Sequence, residues 1–321
     1  MQTIKKRLSV NIGQFETFDP ANVLLANART GSIPTETGTL VLKEVMGSSA
    51  VMQLAKYEPM TTLKKTFTYL ADGPGAYWVG EAERIQTSKA TWLTASMEAK
   101  KLGVIIPVSK EFLKFTVTDF FNQVRPMIAE AFYKKFDQAA LFGNGSPYAS
   151  GISVWERIAS SGQTVGEGTN ANLYLDFNDV IALLEDGDHD FNGLTTTKSF
   201  RKNLRGTVDQ NNLPIFNDAT GNVAAQVLGQ PIAYAPKASF DTTKALALAG
   251  DWDMARYGIL QNIEYAVSED ATLTTIVDDE GNPVNLFERD MFALRATMHI
   301  GFMTLKDDAF AALVPSTVVG G

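Results

Sequence analysis

Cysteine is absent from the 321 residues. That excludes disulfides and thiolate metal sites. Histidine occurs only twice, which leaves few bases for proton transfer at neutral pH. The phosphate loop GxxxxGK[ST], the zinc motif HExxH and the nucleophile elbow GxSxG do not occur. No apolar run approaches the roughly 18 residues of a membrane helix. The opening MQTIKKRLSVNIGQF is basic but lacks the apolar core of a secretory signal. Positive charge is in the minority: 28 Lys and Arg face 36 Asp and Glu, for a formal charge of −8. That balance argues against a dedicated nucleic-acid binder. No repeat or low-complexity segment is present.

What is there is a soluble-protein composition, 45% hydrophobic with a mean hydropathy of −0.05. Residues 1–37 scatter their apolar side chains and read as an extended arm, too thin to bury itself. A short helix is expected over Thr39–Gly47. From Tyr57 to Pro107 the pattern is β-like, with a polar stretch between Gly80 and Lys89. Two strands joined by a polar tip make a long hairpin. Its aromatics, Trp78 and Trp92 among them, exceed what a thin hairpin can bury. The strongest helical stripe, Phe121, Val124, Ile128, Ala131 and Phe132, predicts a helix over Thr118–Leu141, about 35 Å long. Pro126 inside it predicts a bend near Asn122–Pro126. Residues 150–265 alternate short helices and strands, one helix capped by Asp176. Thr272–Val277 is a strand, and after the turn Asp278–Pro283 the long alternating strand Leu294–Phe302 is expected as its return.

Candidate chemistry is sparse. Gly143-Asn144-Gly145 and Gly166-Glu167-Gly168 lack the third glycine of a dinucleotide fingerprint and read as turns. His299, beside Arg295 and Thr297, reads as structural. Asp188, Asp190, Asn192 and Gly193 around His189 reproduce half a calcium loop, but its bidentate glutamate position holds Ser199; an acidic solvated loop is expected. Glu81 and Glu83 read as a polar hairpin tip sooner than as a carboxylate pair. Lys5, Lys6 and Arg7 read as a solvated tail. The helix bearing Lys198, Arg201, Lys202 and Arg205 reads as a solvated face, with phosphate contact the alternative.

The order of arm, projecting hairpin, long helix, mixed block and terminal β-hairpin resembles the major capsid proteins of tailed bacteriophages, the Hong Kong 97 (HK-97) fold. Specific words carry the resemblance: Pro74-Gly-Ala-Tyr-Trp-Val-Gly-Glu81 and Thr87-Ser-Lys-Ala-Thr-Trp92 in the hairpin, and Pro107-Val-Ser-Lys-Glu-Phe-Leu113 leading to Pro126-Met-Ile-Ala-Glu-Ala-Phe-Tyr-Lys-Lys-Phe-Asp137 in the long helix. Gly250-Asp-Trp252, Tyr257-Gly-Ile259, Asn285-Leu-Phe-Glu288, Ala293-Leu-Arg-Ala-Thr-Met-His299 and Ala309-Phe-Ala311 follow in order. The likeness covers nearly the whole chain and points to the staphylococcal 80-alpha type.

The resemblance implies an α+β, HK-97-like capsid fold. Its parts would be an N-arm (1–37), a helix and lead-in strand (38–56), an E-loop hairpin (57–107), a P-domain spine helix (108–149), a mixed α/β A-domain (150–265) and a P-domain β-hairpin with the C-terminal strand (266–321). It implies a non-enzymatic shell protein without catalytic residue, cofactor or metal, assembling with itself into hexamers and pentamers in the bacterial cytoplasm. Implied partners are a separate scaffolding protein, a portal protein and packaged double-stranded DNA held non-specifically; no membrane is implied. Trp78, Glu81, Lys89, Trp92, Phe15 and Asn282 are the expected inter-subunit contacts, and Pro126 the expected hinge. Some family members join subunits by a Lys–Asn isopeptide bond, but no motif around Lys89 or Lys100 carries that role over. The rival readings are an encapsulin-type nanocompartment shell and an enzyme centred on His189.

Overall fold

A computed structural model describes residues 49–72, 76–79, 81, 84, 87–88, 91–110, 117–208, 213, 215–216, 226–278 and 281–316. The expected helix at Thr39–Gly47, and Phe15 and Lys89, lie outside the described residues. The chain divides into two compact units. One gathers Leu102–Tyr133 and Asn262–Met298; the other gathers Met46–Lys101, Lys134–Gln261 and His299–Gly321.

The larger unit is built around a six-stranded sheet. Its strands are β4 (Thr164–Gly166), β5 (Gly193–Thr197), β6 (Gln226–Val227), β7 (Gln230–Ala235), β8 (Ala247–Gly250) and β13 (Phe310–Val314), in the order β4-β13-β8-β5-β7-β6. The central strands β5, β8 and β13 are buried at every position, which suits their apolar and threonine-rich sequences. Against this sheet pack Phe177, Val180 and Leu184, with Leu194, Phe200, Leu204 and Leu313 completing the core. Close packing requires Gly250: a Cβ there would lie 2.3 Å from Phe310 Cδ1 and 2.8 Å from the Ala309 carbonyl. Trp252 meets the Phe310 ring edge-on at 5.5 Å and donates its indole N–H to the Gly193 carbonyl at 3.0 Å.

The helix over Leu173–Asp186 corrects one expectation. Its cap is Asn172, whose side chain accepts from the Leu175 N–H. Asp176 sits inside the first turn, buried, and accepts from the Gly168 and Asn170 N–H groups. It ties down the preceding loop instead of opening the helix.

The long helix spans Val117–Phe142 and continues through Pro126, which is exposed. Val124, Ile128, Phe132 and Phe136 recur every four residues and are buried. Gly143, at φ 68°, closes the helix by donating to the Ala139 carbonyl at 3.1 Å. In the larger unit this helix also carries Asp137. Its carboxylate accepts from the Ser49 hydroxyl and from the N–H groups of Ala50 and Val51, clasping the start of the short helix Ala50–Leu54. Full burial pushes the Asp137 carboxyl up to about 6, although these three donors favour its charge.

In the smaller unit, β10 (Thr272–Val277) pairs antiparallel with β11 (Pro283–Asn285) over Leu273, Ile276, Val284 and Leu286. This is a second correction. The return strand is three residues long, and β12 (Met291–Thr304) belongs instead to a five-stranded sheet of order β1-β9-β12-β3-β2. That sheet's other strands are β1 (Lys56–Tyr57), β2 (Lys64–Asp72), β3 (Thr91–Ser109) and β9 (Ala255–Ser268). Asp290 breaks the run between β11 and β12, at φ 49°.

Candidate inter-subunit surface

β2 and β3 form an antiparallel hairpin in which Phe67 faces Ala95, Thr68 faces Thr94, Tyr69 faces Leu93 and Leu70 faces Trp92. Side chains alternate between faces along a strand. The root of the hairpin is seated. Met97 and Ala99 are buried with Met60 and Met303. Gly258 allows this approach, because a Cβ there would lie 2.4 Å from the Glu58 carbonyl and 2.7 Å from Met97 Cε. Glu58 accepts from Lys65 at 3.1 Å and from Arg256 at 2.5 Å. Burial pushes its carboxyl up, but the two cations together hold it below the usual range.

Toward the tip this support ends. Trp92 is 63% exposed and its neighbour Leu93 is 48% exposed. Adjacent strand residues point to opposite faces, so each face of the hairpin carries an exposed side chain there. Trp78 is 105% exposed, with Tyr77 and Val79 exposed around it, and Glu81 is exposed as well. Trp92 and Leu93 thus leave an aromatic and an aliphatic side chain in water on opposite faces of the ribbon, and large aromatics carry most of the energy when a partner covers them. Asn282, in the smaller unit, is exposed but occupied with its own turn. Its N–H donates to the Asp278 carboxylate at 2.8 Å and its carbonyl accepts from the Asp278 N–H at 2.9 Å.

Two further features escaped the sequence. Phe287, in the turn after β11, is 72% exposed beside buried Leu286; no periodic pattern marks a turn residue as exposed. A groove of about 660 Å³ runs between Leu93–Ser96, Ile152 and Met303–Asp308. Arg157 braces it, donating to the Thr304 hydroxyl and carbonyl and pairing with Asp307. Three distant segments build it, so no local pattern announces it.

In the loop around His189 the acidic residues Asp188 and Asp190 are exposed, as expected, but the histidine is not. His189 is buried between Asp308, at 3.1 Å from Nε2, and Asp251, at 3.7 Å from Nδ1. Asn192 donates to Asp251 and accepts from the Trp252 N–H. These contacts hold three loops together. Among the described residues no group of three or more His, Asp or Glu side chains could hold a metal. Nor is any helix among them long and apolar enough to cross a membrane.

The six-stranded block thus buries its own core, while Trp78, Trp92 and Leu93 stay exposed. The chain belongs to the phage capsid family, whose model matches residues 31–314. The major capsid protein of Staphylococcus phage 80alpha is 42% identical over 320 residues, covering 97% of this chain and 95% of that one. The probable major capsid protein of Mycobacterium phage D29 is 25% identical over 297 residues, 91% of this chain and 92% of its own. A solved chain from Microbacterium phage Oxtober96 superposes with a TM-score of 0.74 at 26% identity, covering 91% of this chain and 96% of that one. The role is that of a major capsid protein of a tailed phage.

Proposed function

We propose that this chain adopts the HK-97 fold and closes into hexamers and pentamers of an icosahedral head around double-stranded DNA. The observation that carries the proposal is the pair Trp92 and Leu93, adjacent on opposite faces and both exposed. In this reading the hairpin is the E-loop that reaches over a neighbour, residues 150–265 form the A-domain, and the long helix and β10–β11 belong to the P-domain. Residues 1–37 would be an arm that lies on a neighbour, with Phe15 among its contacts. A separate scaffolding protein and a portal protein would direct assembly in the host cytoplasm. Electron microscopy of the purified, concentrated protein tests the proposal. Closed angular shells are expected; a protein that stays monomeric at every concentration, with or without scaffold, refutes it. Particles that enclose a protein cargo and never DNA would favour the encapsulin reading.

Pro126 would act as a bend point that lets one chain fit different positions in the shell. It cannot donate to the Asn122 carbonyl, a loss of about 3 kcal/mol in a helix interior. Pro126→Ala should therefore stabilise the subunit while lowering the fraction of particles that package DNA and mature. An unchanged fraction would remove the hinge role.

A further inference from the structure

The parallel strands β5 and β7 end side by side, Thr197 level with Ala235. After β5 the chain turns through Lys198–Phe200 into the helix Arg201–Gly206. Lys198, Arg201, Lys202 and Arg205 follow the spacing i, i+3, i+4, i+7 and are all exposed, while Phe200 and Leu204 between them are buried in the core. After β7, exposed Lys237 sits in a turn closed by Ser239, whose N–H and hydroxyl donate to the Pro236 carbonyl. None of these five cations takes part in an ion pair among the described residues. The guanidinium of Arg201 lies 4.0 Å over the Tyr234 ring, which holds it in place and leaves its N–H edge free. A carboxylate touches this helix on its flank, where Asn203 donates to Glu167.

In a chain of net charge −8, five exposed cations at and beyond the ends of two adjacent strands form a local basic face suited to an anion. We propose that this face binds the phosphate backbone of duplex DNA. The inference rests on reading the chain as the wall of a DNA-filled head, and it gives that wall a contact surface. Its composition separates it from the hairpin tip. Protein interfaces have a core of aromatic and apolar side chains. This face has no such core: Phe200 and Leu204 are buried, and the Tyr234 ring lies beneath Arg201; it offers cations and the Ser199 hydroxyl, the chemistry of phosphate contact. Nothing in it reads a base edge, so binding is independent of sequence. One copy binds weakly, and many copies lining a shell multiply the effect.

The test is fluorescence anisotropy of the purified full chain with a short labelled duplex, repeated over a salt series. Each phosphate contact contributes about −0.9 to the slope of log K against log salt. With four contacts, raising salt from about 50 to 200 mM should weaken binding on the order of 100-fold. The triple variant Lys198→Ser, Lys202→Ser, Arg205→Ser leaves the Arg201–Tyr234 stack intact. It should flatten the slope by about 2.7, and Lys202→Ser alone by about 0.9. Lys56→Ser, Lys64→Ser, Lys101→Ser, an equal loss of charge elsewhere, should leave the slope unchanged. The proposal is overturned if the parent chain shows no salt-dependent binding, if the triple variant keeps the parent slope, or if the control variant flattens it equally. It is also overturned if the triple variant binds DNA normally yet no longer forms shells, because the face would then serve another copy of the chain. Micrographs of the parent protein report separately on whether it builds shells at all.

Discussion

The six-stranded block and the hairpin solve the same problem in opposite ways. In the block, β5, β8 and β13 are covered on both sides by residues of their own chain. In the hairpin, Trp92 and Leu93 sit on opposite faces and both remain exposed, Leu93 at the edge of the groove shared with Ile152 and Met303–Asp308. An aromatic side chain carries roughly 150–250 Å² of surface, so the tip holds back several kcal/mol that folding alone cannot collect. The block is finished by folding; in the proposed shell the hairpin is finished by assembly. Stability of the monomer and stability of a shell should therefore respond to different residues.

The largest test of that division is Leu194→Ala. Leu194 is fully buried in the central strand β5. The change should cost about 2–5 kcal/mol of subunit stability, read as an earlier urea midpoint, and shells should disappear along with the fold. A subunit that lost less than about 1 kcal/mol would show that the block is not self-supporting.

Asp137 sharpens the comparison, because it joins Ser49–Val51 to the long helix within the larger unit. Its carboxyl is raised from 3.8 to about 6 in the folded chain. A raised value means that the folded state binds the proton more tightly than the unfolded state. The stabilisation is complete below about 4 and is lost as pH rises through about 6. Between pH 7 and 4 the parent protein should thus gain up to about 3 kcal/mol relative to Asp137→Asn. Paired denaturation curves at the two pH values measure this. A gap between parent and variant that does not change with pH would mean that the carboxyl is not buried as described.

The smallest effect on the monomer is expected at the tip. Trp78→Ala with Trp92→Ala should shift subunit stability by no more than about 0.5 kcal/mol, while shells dissociate at lower denaturant concentration. Light scattering of shells set beside circular dichroism of subunits separates the two. Equal losses in both would place the tryptophans in the subunit's own core and erase the contrast.

How much of this could be read in the residues follows the same line. The long helix was legible because Val124, Ile128 and Phe132 repeat at helical spacing. β10 was legible as Thr272–Val277, and the alternation in β12 as buried Leu294, Ala296, Met298 and Ile300. What was illegible is non-local. Asp137 meets Ser49 across 88 positions, and Asp251 and Asp308 close on His189 from separate loops. Asn172 and Asp176 are both acceptable caps by composition; only the loop before them decides which one opens the helix. The return to β10 is hidden in the sequence because the apolar alternation of β12 is stronger than the single buried Val284 of β11. For the surface, composition marked Trp78 and Trp92 as surplus, but it could not show that Trp92 and Leu93 are exposed on opposite faces.

The position of β13 bears on how the chain is made. Phe310–Val314 is the last of the described strands, yet it lies between β4 and β8, pairing with Thr164–Gly166 on one side and Ala247–Gly250 on the other. A ribosome must therefore deliver the chain as far as Val314 before the middle of the block can close. Until then β4 has no neighbour and β8 presents an open edge. A nascent chain that stops short of β13 thus lacks the closed sheet on which the rest of the block is built.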